Sequence, residues 1–472
     1  MRQNRNSWHI KIDTNATTHL YAGSAIYLTG NIKREISNTQ IRWYGPGYAV
    51  WEVETEEDGE YELAICYASF FEGIAYNVLS ESHHIQGIIR KTNGYFNTTD
   101  HLLNFEREYL YKRIALTKGT SRITFNITES LDNYDFSLSS IELTPVTTKV
   151  SIEEDKNSAS SLASTDWFVH KGYGVMFHWT AQSQPKYGKL KLYGNAVKDF
   201  NVKDFTDMVE LTGAGYVIFT ANHAIPHFPA PIRSWERLYP GWTTERDLVA
   251  ELAFALALKN IRLMLYINPF AAYTSSPRLK NINGSTGYRD DLRIDPSCKD
   301  DFINTTSEVL QEIGLRYKKD IAGYWFDSCY QPYMHFGSFP SEVLFRASKV
   351  GNLERICAFN HWILPINTLY QEYWAGEVGD IGKINEKRHM GYGAGKGLQS
   401  HALIIMDDPW VHDKPETEVE EPRYNAETIT TYIKGCMKNE GVITMNLGIY
   451  QDGSIGDKTM KVMKEIKKAI RG

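Results

Sequence analysis

Eight short apolar runs, most of them ending on polar or aromatic residues, recur through the C-terminal two-thirds of the chain. They are "GVMFHWT" (174–180), "YVIFTANH" (216–223), "RLMLYINP" (262–269), "IAGYWFD" (321–327), "ICAFNHW" (356–362), "TLYQEYWAGE" (368–377), "HALIIMDDPW" (401–410) and "GVITMNLGIY" (441–450). Between most of them lie stretches with helical spacing. "KDFTDMVELTGA" is one, "TTERDLVAELAFALALKN" opens with a Thr cap and an acidic first turn, and "DDFINTTSEVLQEIGLRY" follows suit. Eight buried strands alternating with helices over roughly 300 residues is the pattern of a (β/α)8 barrel. A doubly wound sheet is the structural competitor, but the GxGxxG expected after its first strand is missing. The interval 378–400 is Gly-rich and poor in helix signal, which makes it the weakest repeat.

The first 145 residues have a different texture. "YAVWEVETEEDGEYELAICYA" alternates around Asp58-Gly59 and "RIALTKGTSRITFNIT" around Lys118-Gly119, the signal for paired antiparallel strands. Short strands at regular spacing predict an all-β sandwich, jelly-roll-like, over 1–145. The polar, Ser-rich stretch 146–166 reads as a linker, and 167–472 as the barrel. In its strands "DGEYELAICYA" and "IELTPV" the sandwich resembles carbohydrate-binding modules. Trp43, Tyr44 and Trp51 are its candidate stacking residues, and a purely structural role is the alternative.

A chain of 472 residues suits a large domain plus a smaller one. The net charge of -6 and the lack of a Lys/Arg stripe argue against nucleic acid as a partner. The 29 Tyr, 20 Phe and 11 Trp supply flat apolar faces with polar edges, which suit sugar rings as well as packed cores. Five scattered cysteines without CxxC spacing (Cys66, Cys298, Cys329, Cys357, Cys436) argue against a disulfide framework and a structural zinc site. His223 and His227 have the i, i+4 spacing of a helical metal pair, but Pro226 and Pro229 disfavour a helix there; no metal or cofactor is expected. No apolar stretch is long enough for a membrane span, so no membrane partner is expected either. As given, the chain reads as cytoplasmic, or as periplasmic or secreted if an export signal has been trimmed. The sequons at Asn97 and Asn304 matter only in a secreted eukaryotic setting.

In a (β/α)8 barrel the active site is built at the C-terminal ends of the strands. Those ends carry His178 and Trp179, His223, Asn268, Asp327, Asn360 with His361 and Trp362, Glu377, Asp407 with Asp408 and Trp410, and Asn446. No Schiff-base lysine, phosphate loop or serine elbow stands out. Carboxylates for acid/base and nucleophilic work, His and Asn for hydroxyls, and Trp as a stacking floor make a sugar site. Trp325, Asn360, His361, Asp408 and Trp410 belong to the candidate substrate-binding set. Asp327 could alternatively be a turn residue ending its strand, His178-Trp179 a core pair, and Asp407-Asp408 a turn cap before Pro409.

"GVMFHWT", "GAGYVIFTANH", "RDLVAELAFALALKNIRLMLYIN", "YWFD" and "GVITMNLGIYQDGSIG" resemble, in order along residues 167–470, the landmarks of the α-L-fucosidases of glycoside hydrolase family 29. The resemblance implies a retaining hydrolase with Asp327 as nucleophile, and with His178, Trp179 and His223 holding the fucose ring. "YWAGEVGD" is similar to the Trp-x-Gly-Asn-Glu-x-Gly stretch of one subgroup with one residue missing, which points to Glu377 as acid/base, ahead of Glu372, Asp408 and Asp407. The chain departs from the family at three places. Its Lys-His-His-Asp-Gly-Phe motif reads "ANHAIPHF", so only His223 survives and Ala224 replaces the second His. His361 stands where an Arg is often found, and the sandwich precedes the barrel instead of following it. The expected partner is a fucosylated or related oligosaccharide. The alternatives are a retaining hydrolase of a related glycone and a non-catalytic carbohydrate-binding protein on a decayed barrel.

Overall fold

Alternating apolar residues in the N-terminal third form ten strands in the computed structural model. They are β1 (His9–Lys11), β2 (Thr18–Tyr21), β3 (Tyr27–Glu35), β4 (Gln40–Thr55), β5 (Gly59–Ser69), β6 (Ala75–Leu79), β7 (His84–Ile88), β8 (Glu106–Leu116), β9 (Gly119–Ile127) and β10 (Phe136–Pro145). The structure describes residues 9–472 except 15, 36–38, 93–104, 130–135, 148–161, 224, 270–298, 333–338, 363, 365–367, 369, 383–386 and 392–394. Most of the 146–166 stretch, Ala224, Asn97 and Cys298 lie outside the described residues.

The strands run in the order β7-β6-β9-β4-β10-β5-β8, with β1 and β3 on β4 and β2 on β10. Neither expected hairpin is present. β4 pairs with β9, β5 pairs with β8, and β10 lies between β4 and β5. The turns at Asp58-Gly59 and Lys118-Gly119 therefore cross between layers side by side, and Lys118 N donates to Asp58 Oδ1 at 2.7 Å. Period-two alternation is the same whether a strand folds back in its own sheet or crosses to the opposite one, so the pattern could not choose. The layers close on one core, where Phe125 of β9 stacks on Phe136 of β10 at 5.7 Å although these strands are not paired. Trp43 and Trp51 are fully buried in it, with their indole N–H groups bonded to Gly47 O and Tyr21 O. They are core residues and not a sugar-stacking surface, which corrects that expectation; Tyr44 is exposed beside Arg42 and Lys33.

The second region contains α1 (Asp166–Lys171), β11 (Tyr173–Phe177), α2 (Tyr193–Asp199), α3 (Val202–Thr212), β12 (Tyr216–Thr220), α4 (Arg233–Leu238), α5 (Leu248–Leu258) and β13 (Arg262–Ile267). It continues with α6 (Lys299–Tyr317), β14 (Ile321–Phe326), α7 (Ser341–Ser348), β15 (Ile356–Phe359), β16 (Glu377–Gly379), β17 (His401–Ile405), α8 (Ala426–Lys438), β18 (Val442–Asn446) and α9 (Asp457–Arg471). Asn201 caps α3 through the Asp204 N–H, and Gly213 ends it in the left-handed region at φ 74°. Asp247, not the expected Thr, caps α5, accepting from Ala250 N.

The eight strands form one parallel sheet in the order β15-β14-β13-β12-β11-β18-β17-β16. Apart from Arg262 at the start of β13, the strands β11–β15 and β18 are buried along their length, while β17 is partly and β16 only half-buried. Val175, Phe177, Val217, Phe219, Tyr324 and Phe326 pack with the helices. Met176, Tyr216, Ile218, Met264, Tyr266, Trp325, Leu403 and Val442 meet on the other side in a shared inner cluster, so the sheet curls around them. β15 and β16, its ends, are not paired with each other among the described residues. The chain at Glu372, ahead of β16, runs between β15 and the residues leading into β17, its N–H donating to Cys357 O and its carbonyl accepting from Gln399 N. No described residue between β16 and β17 is helical. Among the described residues no helix is long and apolar enough to cross a membrane.

Candidate active site

Asp327 follows β14, and its N–H is tied to Ile267 O on β13 at 2.9 Å. Its two carboxylate oxygens have different partners. Oδ2 accepts from the Tyr266 hydroxyl at 2.5 Å, and Oδ1 accepts from Asn360 Nδ2 at 2.9 Å. The same Asn360 nitrogen donates to Glu377 Oε2 at 2.5 Å. An amide nitrogen carries two hydrogens, so it can serve both carboxyls at once. The two oxygens are therefore no farther apart than the sum of those distances, well short of the ~6.5–9.5 Å that would leave room for a water between the carboxyls.

Asn360 is held from three sides. Its N–H donates to Phe326 O at 2.7 Å, its carbonyl accepts from Cys329 N, and its Oδ1 accepts from Trp362 N. Beyond Asp327 the chain turns through Ser328 at φ 57°, a left-handed conformation that costs a non-glycine residue energy. Asn268 holds this turn by donating to Ser328 Oγ at 2.9 Å, and Asn222 holds Asn268 by bonds to its N–H and C=O.

Burial pushes the Glu377 carboxyl up to about 8, the negative Asp327 adds to the rise, and the Asn360 N–H opposes it. The balance favours the protonated form of Glu377. Burial drives His178 the other way, to about 3, helped by His223. His178 is thus a neutral imidazole whose Nδ1 bonds Asn446 Oδ1 at 2.7 Å. Asn446 donates its own amide to Trp410 O, so it accepts from His178, and Nε2 is left as the acceptor. His223 lies flat along Tyr266 with ring centroids 5.7 Å apart. It too is held below its ordinary range by burial, against the pull of Asp327.

Of the expected substrate-binding residues, His178, His223, Asn360 and Trp410 join Asp327 and Glu377 in this cluster; the Trp410 ring is 5.5 Å from His178. Trp325 lies on the inner side, stacked on Tyr266 at 5.4 Å with its N–H bonded to Ala375 O. It is buried scaffold, which corrects its place in the set. Trp179 is also a correction. It faces the helices against Tyr193, Phe200 and Phe219 and donates to Gln451 O, because neighbours along a strand point to opposite sides and His178 takes the inner one. His361 is buried edge-on against Phe339, outside the cluster, and Asp408 is exposed. Asp407 is buried elsewhere, accepting from Thr459 Oγ1 and Gly448 N. Glu372 is locked by Lys349, Ala163 N and Cys357 N. His227 stacks on Tyr193, away from His223, and among the described residues no three His, Cys, Asp or Glu side chains are grouped to hold a metal ion.

Tyr266 was not among the expected site residues. It sits two positions before Asn268 on β13, so strand periodicity puts both on the inner face. A reading confined to strand ends passes over a long side chain that reaches the rim from one pair of residues below.

Residues 194–470 match the family model described as alpha-L-fucosidase. Curated relatives include the tissue alpha-L-fucosidase of Bos taurus, 30% identical over 132 residues covering 21% of this chain and 28% of that protein. Another is the tissue alpha-L-fucosidase of Rattus norvegicus, 25% identical over 194 residues covering 34% of this chain and 39% of that protein. The chain thus spans well under half the length of these curated relatives. Similar solved structures include alpha-L-fucosidase AlfC from Lactobacillus casei in complex with its α-L-fucose product (15% identity, 64% of this chain, 96% of that chain, TM-score 0.44). A GH29 alpha-L-fucosidase from Bacteroides thetaiotaomicron is another (15% identity, 66% of this chain, 74% of that chain, TM-score 0.45).

Proposed function

The chain belongs to the α-L-fucosidase family, and from that premise we propose that it is a glycoside hydrolase releasing terminal α-L-fucose from fucosylated glycans with retention. The observation that carries this reading is the Asn360 amide shared by Asp327 and a Glu377 that holds its proton. In the first step an Asp327 oxygen attacks the anomeric carbon. The bond from that carbon to the glycosidic oxygen breaks, and this oxygen takes the Glu377 proton. In the second step water attacks the same carbon and gives a proton to Glu377, and the glycosyl–Asp327 ester bond breaks. His178 and His223 offer neutral ring nitrogens for sugar hydroxyls, and Trp410 an apolar face. Tyr266 orients Asp327 by its hydroxyl.

In this reading the parallel sheet is a (β/α)8 barrel distorted at its sixth unit, spanning 167–472, with a sandwich domain over 1–145 and a linker over 146–166. A carbohydrate-binding protein has no use for a protonated partner beside Asp327, so Glu377 favours hydrolysis. The test is azide rescue of Asp327→Gly on an activated aryl α-L-fucoside. A fucosyl azide of inverted anomeric configuration is the expected product, and a variant as active as wild type without azide overturns the nucleophile assignment.

A further inference from the structure

Asn446 is the last residue of β18 and is fully buried. Its backbone is fixed by the strands on either side. Its carbonyl accepts from Met406 N, just past β17, and the next residue, Leu447, donates to Met176 O of β11, both at 3.0 Å. The side chain is fixed as well. Nδ2 donates to the Trp410 carbonyl at 3.2 Å, and Oδ1 meets His178 Nδ1 at 2.7 Å. A backbone carbonyl can only accept, so turning the amide over would set two acceptors against each other with no hydrogen between them. Trp410 O thus decides which way the amide faces, and Oδ1 then requires the imidazole hydrogen to sit on Nδ1.

The His178 ring is held between Tyr266, edge-on with centroids 5.0 Å apart, and Trp410 at 5.5 Å. Tyr266 is the residue whose hydroxyl bonds the Asp327 carboxylate, so His178 lies one aromatic ring away from the reacting oxygen. The two nitrogens of an imidazole point to different sides, which turns Nε2 away from Asn446. No bond from a described residue occupies it. Burial holds the ring neutral, far below its ordinary range. A neutral ring with its hydrogen on Nδ1 carries a lone pair on Nε2 and can only accept there. His223 differs. Its Nδ1 is buried with no partner among the described residues, so no described group selects its tautomer and it can meet a hydroxyl as donor or acceptor.

We propose that Asn446 is a positioning residue that fixes His178 as a hydrogen-bond acceptor toward the sugar, so that the glycone must donate a free hydroxyl to Nε2. The proposal rests on the fucosidase reading above and narrows its substrate class. A fucose methylated, sulfated or glycosylated at that hydroxyl is excluded, because an oxygen without a hydrogen would face a lone pair.

Two measurements on the full chain test this. Nitrogen NMR spectra of protein with isotope-labelled histidines report which ring nitrogen holds the hydrogen, with the His178 signals assigned from a His178→Gln sample. Wild type should show it on Nδ1. Asn446→Leu should give a mixture of tautomers, whereas Asn446→Asp should keep the hydrogen on Nδ1 and raise the pH at which the ring gains a second, since a carboxylate favours the imidazolium. In the second measurement, Asp327→Asn protein is titrated calorimetrically with methyl α-L-fucoside and with its deoxy and fluoro analogues at each ring hydroxyl. Fluorine cannot donate a hydrogen. At one position fluoro and deoxy should therefore weaken binding alike, by about 10–100-fold, and adding Asn446→Leu should shrink that loss. A hydrogen on Nε2 in wild type, a tautomer indifferent to Asn446→Leu, or fluorine tolerated at every position overturns the proposal. If Asn446→Leu does not fold, an Asn446→Asp spectrum with no rise in the protonation pH overturns it. If the wild type cleaves no aryl α-L-fucoside and the Asp327→Asn protein binds no methyl fucoside, the fucosidase reading falls; the spectra alone then support the Asn446 assignment or overturn it.

Discussion

Glu372 and Glu377 are five residues apart on one extended segment, yet the fold treats them in opposite ways. Glu372 is ion-paired with Lys349 and accepts two backbone N–H bonds. Nearby Arg355 is fully buried and donates to the carbonyls of Ile321, Ser348, Val350 and Lys318. Every buried charge named in this region has a counter-charge or a set of acceptors. Among the described residues the Glu377 carboxyl is bonded only by an amide nitrogen shared with another carboxylate, and that neighbour opposes its ionisation. Partners of opposite charge or hydrogen-bond donors and acceptors favour the ionised form of a buried group, whereas burial beside a like charge favours the protonated one.

The largest effect that would break this contrast lies at Asp327. Asp327→Asn should lower turnover on the order of 10⁴-fold or more while the melting temperature stays near wild type. Undiminished turnover would falsify the nucleophile assignment. Next comes Glu377→Ala, expected to slow an oligosaccharide by roughly 10²–10⁴-fold. It should largely spare glycosylation by a nitrophenyl fucoside, whose leaving group needs no proton. Pre-steady-state rates separate the steps, and equal losses on both substrates would remove Glu377 as the acid.

Lys349→Met probes the other glutamate. It leaves Glu372 buried without its counter-charge and should cost about 3–5 kcal/mol in denaturant unfolding, with unchanged kcat per folded molecule. A large loss of kcat with intact stability would erase the division between the two glutamates. The smallest effect is in pH. The Glu377 proton is held more tightly in the folded state, so its stability contribution is complete below the ordinary carboxylate range and fades as pH rises toward about 8. Asp407, raised by burial to about 7, works in the same direction. Melting temperature should fall by a few degrees across this interval, and Glu377→Gln should flatten the part of the slope above the Asp407 range. An identical slope in that variant would show that Glu377 does not hold its proton.

Much of this protein is legible along the chain. Runs such as Tyr324-Trp325-Phe326 have no polar face, and their shortness and aromatic content suit strands covered on both sides, with the intervening amphipathic stretches as the cover. The run also has to end where a carboxylate appears, and that located Asp327. Family motifs at His178, His223 and Glu377 are local strings and could be read in the same way. Tertiary structure decided what depends on direction and distance. Which way Trp179 faces follows from the inward choice of His178, and period two is silent on which of two neighbours goes in. Whether Thr55 and Gly59 end strands of one sheet or of two layers depends on where β10 inserts, some eighty residues later. Glu372 and Glu377 are both glutamates in an aromatic segment, and only the fold brings Lys349 to one and the Asp327–Asn360 pair to the other. Asn360 could be read as a polar strand end. That its single nitrogen joins two carboxyls from different strands depends on the curl of the sheet, because hydrogen bonds act over about 3 Å in space however far apart their partners lie in sequence.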